Sequence, residues 1–224
     1  MTDNNEKDYR SLLMQALAEV EGKPLASDGK SLDTYEDICC GCVLVAEKCL
    51  REQDRLWEVA DMARTCLHYA TWLEGFDHKI NALYNVMRRL SETVYDHPRL
   101  RLRVLRLFQT VLHRIEAQTG HELGASQDVR RDISRISSNI YFAERGEFDS
   151  IKDEGHLKKD PVEWTERWEE VIDEAMRNAL SRLEDTPRGM GFCYAYWHEL
   201  TEELKHLGVE WRSPKTMNPG VMFD

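Results

Sequence analysis

The sequence predicts an all-α protein of about eight helices, and three observations carry that expectation. Apolar residues recur at steps of three and four along most of the chain, no segment sustains the alternation of a half-buried strand, and capping chemistry marks where the helical runs begin and end. In RLWEVADMARTCLHYATWL, for example, Leu56, Val59, Ala63, Cys66, Ala70 and Leu73 share one helical face. The stretch nearest to a strand, RLRLRV at 99–104, runs directly into LRLFQTVLHRI, where the three-four step takes over.

The runs place helices at 5–21, 33–53, 55–73, 77–94, 98–118, 126–145, 161–184 and 187–207. Asp33 with Glu36 reads as a capping box opening the second helix, whose Cys39, Cys42, Ala46 and Cys49 line one face. Ile80, Leu83, Met87, Leu90 and Val94 carry the fourth, and Val104, Leu107, Phe108, Val111 and Ile115 the fifth. Val129, Ile133, Ile136, Ile140 and Ala143 carry the sixth. Asp160, Pro161 and Glu163 form a second capping box ahead of Trp164, Trp168, Val171, Ala175 and Ala179. Thr186 before Pro187 reads as the N-cap of the last helix, which turns Cys193, Trp197, Leu200, Leu204 and Leu207 inward and stops at Gly208.

These elements make a single domain over 1–224, with an N-terminal helix and loop at 1–32, a helical core at 33–207 and an extended tail at 208–224. From the second helix to the fifth the centres advance by about 22 residues, so a two-helix unit occupies about 43, near the armadillo or HEAT length. No consensus recurs within that rhythm, so a solenoid-like stack of antiparallel hairpins and an irregular helical bundle both remain open. The tail VEWRSPKTMNPGVMFD is too apolar to hang free, and its Pro214, Pro219 and Gly220 are expected to exclude a helix. Docking back on the core, with Met222 and Phe223 inserted among side chains of the last two helices, is the expected arrangement.

With GHLKKDPVEW, PRGMGFCYAYWHEL and VEWRSPKTMNPGVMFD, the C-terminal third resembles an uncharacterised family of bacterial, all-helical, tetratricopeptide-like proteins. That resemblance implies a helical fold and brings no activity and no site residues. The tetratricopeptide signature of Trp, Leu-Gly and Tyr at fixed offsets is absent.

Composition narrows the function. A net charge of −11 disfavours nucleic acid and membrane surfaces, both of which recruit Lys and Arg, and favours basic partners. The start MTDNNEKDYR has neither the basic nor the apolar segment of a secretion signal, and no stretch is apolar enough to span a bilayer, so a cytoplasmic location is expected. The 6 cysteines cluster inside periodic apolar segments and are expected to be reduced.

Each motif with chemical promise has a plainer explanation. ICCGCVLVAEKC spaces Cys39, Cys42 and Cys49 as zinc ligands might be spaced, but they share a helical face and no second ligand pair follows, so core packing is expected. His198, Glu202 and His206 form a polar stripe, yet Glu202 stands where a zinc-protease helix needs its second His, and the stripe lies opposite the apolar face. The loop EFDSIKDEGHLKKD lacks the calcium-loop order and, as the longest connection, is expected to be mobile or functional. Neither GxSxG, GxGxxG nor a P-loop occurs. No catalytic residue, metal ligand or cofactor is therefore assigned. An enzyme of unrecognised type, using the His198 stripe or a pocket beneath Tyr194 and Tyr196, stays as a rival reading.

The most informative feature is an island of basic charge. Residues 88, 89, 99, 101, 103, 106 and 114 are arginines, against only Glu92 and Asp96, in an otherwise acidic chain. On the predicted helix at 98–118, Arg99, Arg103, Arg106 and Arg114 share a stripe with His113. Either they pair with acids such as Glu166, Glu169, Glu170, Asp173 and Glu174, or they form a groove for an acidic peptide or carboxyl terminus. Arg101 points to the apolar side and is expected to escape at the helix start or pair with a buried acid. The function expected is a non-catalytic protein-interaction module, with partner binding at Arg99, Arg103, Arg106 and Arg114. The alternative in the same class is an acidic immunity or chaperone-like protein that masks a basic partner.

Overall fold

The computed structural model describes residues 8–223, and among these the chain is helical, with no strand and one isolated bridge between Glu154 and Leu157. The helices are α1 (Tyr9–Val20), α2 (Gly29–Glu52), α3 (Glu58–Leu73), α4 (Ile80–Ser91), α5 (Pro98–Thr119), α6 (Gly124–Glu144), α7 (Glu166–Arg182) and α8 (Phe192–His206), followed by one helical turn, α9 (Pro214–Met217). The all-α class is as the periodicity predicts. Residues 5–7 of the first predicted helix, most of the segment MTDNNEKDYR and Asp224 lie outside the described residues.

Short connections make sequential helices antiparallel neighbours. Cys39 of α2 meets the Cys66 carbonyl of α3, Tyr84 of α4 meets Phe108 of α5, and Asn178 of α7 bonds Glu203 of α8. α2 also packs on α4, and α3 on α5, the neighbour-plus-one contact of a hairpin stack. α7 and α8 form a further hairpin, which reaches the stack through a 3-10 turn at Pro161–Trp164.

Several boundaries depart from the sequence expectation, each for a local reason. α2 begins one turn early, capped by Asp28, whose carboxylate accepts from Ser31 N–H at 3.1 Å. Asp33 and Glu36 are not its capping box; both instead bind the buried Lys79 ammonium, Glu36 at 2.7 Å. The Asp160 and Glu163 capping box does form, but it opens only the 3-10 turn, and Thr165 then caps α7 through Trp168 N–H. Thr186 caps nothing. α8 starts only at Phe192, after Gly191 at φ +83°, because Gly189 and Gly191 each weaken the first predicted turn by about 1 kcal/mol. At its far end Gly208, at φ +81°, closes a Schellman turn, with Val209 N–H on Leu204 O at 2.8 Å.

The core is not one continuous body over 33–207. Buried apolar side chains form a large cluster running from Leu13 to Trp164, a second around Trp168, Ile172, Leu204 and Trp211, and a small third at Leu180, Leu183 and Phe192. Leu56, Trp57 and Tyr196 pack against both the second and the third, whereas a polar seam lies between the first and the second. Trp168 Nε1 donates to Asp96 O at 2.8 Å, His97 Nε2 meets Asp173 at 2.8 Å, and Glu169 accepts from the backbone N–H groups of Arg99 and Leu100, both at 2.8 Å.

The long loop after α6 is pinned rather than loose. The fully buried Asn139 takes both backbone groups of Lys152, at 2.8 and 2.9 Å, and Asn218 of the tail takes both of Lys158, at 2.9 Å each. A planar amide offers one donor and one acceptor side by side, which is what a single residue of a neighbouring strand would offer.

The tail folds back as expected, with Phe223 but not Met222 among its anchors. Val209 and Trp211 are buried, with the Trp211 ring 5.8 Å from that of Trp168 and its N–H on Glu163 at 2.8 Å. Phe223 lies edge-on to Trp197 at 5.0 Å, but Met222 is 91% exposed. Pro214 does not forbid a helix: it occupies the first position of α9, where a missing N–H costs nothing, and Ser213 caps the turn. Trp211→Ala is therefore expected to cost about 3–5 kcal/mol in urea unfolding, and Met222→Ala to stay within about 0.5 kcal/mol.

Candidate interaction groove

The basic island on α5 is built under a charge constraint. Its first turns carry Arg99, Arg101 and Arg103 and no acid, at the end where the helix dipole is already positive. Neutralising charge comes from other elements. Arg99 pairs with Glu144 of α6, while Glu169 of α7 receives the Arg99 and Leu100 N–H groups. Arg101, 6% exposed, forks onto Glu154 of the pinned loop at 2.7 and 3.1 Å and lies over the Tyr95 ring at 4.6 Å. Arg135 of α6 joins the same carboxylate at 2.9 Å. Burial alone would push the Glu154 carboxyl up; Arg101 and Arg135 outweigh it and hold the group below its ordinary range.

The four stripe arginines divide into two pairs. Arg99 is bound as described, and Arg114 reaches Glu74 at 2.9 Å, the Glu74 carbonyl and Asp77, closing the C-terminal end of α3. Arg103 and Arg106 are exposed, and neither guanidinium makes an ion pair or hydrogen bond among the described residues. Of the acids considered as internal partners, Glu169 serves the α5 backbone and Asp173 serves His97 and Arg64; neither neutralises the middle of the stripe.

Arg103 opens onto a groove of 530 Å³ whose other wall is α3, with Arg64, Leu67, His68, Thr71 and Trp72, and whose end is closed by Leu25. Trp72 is fixed by its N–H on Ala26 O at 3.1 Å and remains 37% exposed. Arg64 is partly neutralised by Asp61 at 2.9 Å and Asp173 at 3.4 Å. The groove thus combines one uncompensated guanidinium, a second shared with two acids, an imidazole and an aromatic edge. Such a surface suits a carboxylate-bearing chain. The α3 wall was missing from the sequence reading. Its signal was present as Arg64, His68 and Trp72 at helical spacing, but nothing in the sequence says that this face of α3 flanks the open side of α5.

The remaining candidates resolve simply. Cys39, Cys42, Cys49 and Cys66 are buried and all six cysteines are free thiols, and burial pushes the Cys42 thiol far up, so that face is core. His198 and His206 are exposed, and no group of three or more His, Cys, Asp or Glu among the described residues is placed to hold a metal ion. Tyr194 accepts from Phe223 N–H at 3.3 Å, while the Tyr196 hydroxyl is buried with no hydrogen-bond partner among the described residues, and burial pushes its pKa up. No described helix is long and apolar enough to cross a membrane. Comparison of the chain with protein-family models, with curated proteins and with solved structures finds no match.

Two arginines two positions apart should therefore behave oppositely. Arg101→Gln leaves Glu154 with Arg135 alone and is expected to cost about 1–3 kcal/mol, whereas Arg103→Gln should change stability by less than about 0.5 kcal/mol in the same urea titration. Because the folded pKa of Glu154 is depressed, its stabilisation is complete above the unfolded value and is lost as pH falls through the folded one. Glu154→Gln should accordingly flatten the acid limb of the stability profile while lowering stability at neutral pH.

Proposed function

We propose that the protein is a non-catalytic interaction module whose α3–α5 groove receives an acidic peptide segment or carboxyl terminus of a partner protein. The observation that supports this most directly is Arg103. In a chain of net charge −11 its guanidinium lines a groove with Arg64, His68 and Trp72, yet no acid among the described residues is spent on it. Arg106, one turn further along α5, extends the cationic track, and the paired Arg99 and Arg114 mark its ends. A fully solvated arginine gains little from a surface ion pair, about 0–1 kcal/mol, so leaving two unpaired has no bearing on folding. Their value lies in bidentate recognition of carboxylates as they leave water. A stack of helical hairpins with a Trp-walled groove is suited to such a segment, since its backbone is preformed and the ordering cost falls on side chains such as Arg103 and Arg106.

The test is fluorescence anisotropy with a labelled hexaglutamate peptide. The reading predicts saturable, salt-sensitive binding that falls about tenfold or more with Arg103→Gln plus Arg106→Gln, at an unchanged melting temperature. Binding indifferent to both substitutions, or absent at low salt, would overturn it.

A further inference from the structure

A second cleft lies away from the groove, between the α2–α3 turn and the α7–α8 turn, with a volume of 780 Å³. We infer that it is a binding site for a phosphate monoester. Three independent features converge there. First, Arg177 lies over the Trp57 ring at 5.8 Å and has no carboxylate partner among the described residues. Second, Arg188 lies over the Phe192 ring at 4.3 Å, and its Nη1 alone is held by the carbonyls of Leu183 at 2.7 Å and Thr186 at 3.0 Å. A guanidinium stacked on a ring and anchored through one nitrogen keeps its remaining N–H edge aimed outward in a fixed plane, which is the arrangement that recognises phosphate oxygens bidentately. Third, Arg55 on the facing turn has φ +50°, one of two non-glycine residues in the left-handed region among the described residues, and sparsely populated backbone of this kind concentrates at ligand sites.

The acids lining the cleft do not cancel these two arginines. Glu58 is taken by Arg10 at 2.5 Å and by Arg55 at 3.6 Å, and Asp54 is approached by Arg55 at 3.9 Å. Of these acids only Glu184, exposed at the rim, has no cation of its own among the described residues. Two guanidiniums held on separate elements match a dianion better than a single carboxylate, and the hydroxyls of Ser181 and Thr186, which also line the cleft, are donors for a third oxygen. The volume lies in the range of small-molecule sites and leaves room for an organic body beside the phosphate. Arg188 also favours the C-terminal end of α7 as any cation there would, but that role uses only the nitrogen facing the carbonyls.

The probe is phenyl phosphate, titrated by isothermal calorimetry into the full chain at low ionic strength, with benzoate as the planar monoanion. Phenyl phosphate is expected to saturate one site and to bind more tightly than benzoate. Arg177→Gln and Arg188→Gln should each weaken it about tenfold or more, while Arg131→Gln, removing an exposed arginine on α6, leaves it unchanged. Arg177 sits on the exposed face of its helix, so its variant reads the site even if Arg188→Gln loosens the turn. The inference is overturned if phenyl phosphate does not saturate, if benzoate binds equally well, or if affinity survives Arg177→Gln or falls as much with Arg131→Gln.

Discussion

Helix α5 begins with positive charge and no acid of its own, and the arrangement of the other helices follows from neutralising that end. The dipole, Arg99, Arg101 and the unsatisfied N–H groups of the first turn are met by Glu169 of α7, Glu144 of α6 and Glu154 of the loop between them. Each of these acids comes from a segment later in the chain. Satisfying α5 therefore requires α6, the loop and the α7–α8 hairpin to converge on one point. Trp168 on Asp96 O and His97 on Asp173 add to the same junction, where the apolar clusters separate. A polar seam of this kind stabilises little per bond, but breaking one partner leaves buried groups unsatisfied, which makes the docking geometry specific.

The same logic explains which arginines are left over. Acids are placed where a guanidinium is buried or where a helix end needs a charge, at Arg99, Arg101 and Arg114, and none is placed along the exposed middle of α5. Arg103 and Arg106 are what the internal pairing does not use, and Arg103 lines the groove beside α3. The cleft between the two turns follows the same pattern, with Arg10 and Arg55 occupied by acids while Arg177 and Arg188 rest on aromatic rings.

Much of this was legible in the sequence where the signal is local. The helical runs were readable from their three-four spacing and the Asp160 and Glu163 capping box from its residues. The position of Arg101 on the apolar side of α5 meant that it must either escape at the helix start or find an acid, and the structure shows the second, with Glu154 half-buried. What escaped depends on relations across the fold. Asp33 and Glu36 look like a cap until Lys79, more than forty residues away, claims both. Thr186 looks like a cap until two glycines defer the helix to Phe192. Glu154 could not be named as the partner of Arg101, because its loop takes shape only once Asn139 and Asn218 have gripped it from either side. In the tail, hydrophobicity marked Met222 and Trp211 equally, and only the depth of the Trp168 surface decides that the indole is buried and the thioether is not.

The claim that acids from later elements hold the start of α5, and through it the α7–α8 hairpin, is tested most directly by native-state hydrogen exchange on Glu169→Ala. The account predicts that the Arg99 and Leu100 amides lose protection and that α7 and α8 begin to open at lower free energy than α2 and α3. Unchanged protection at those two amides, with α7 and α8 exchanging as in the parent chain, would contradict it.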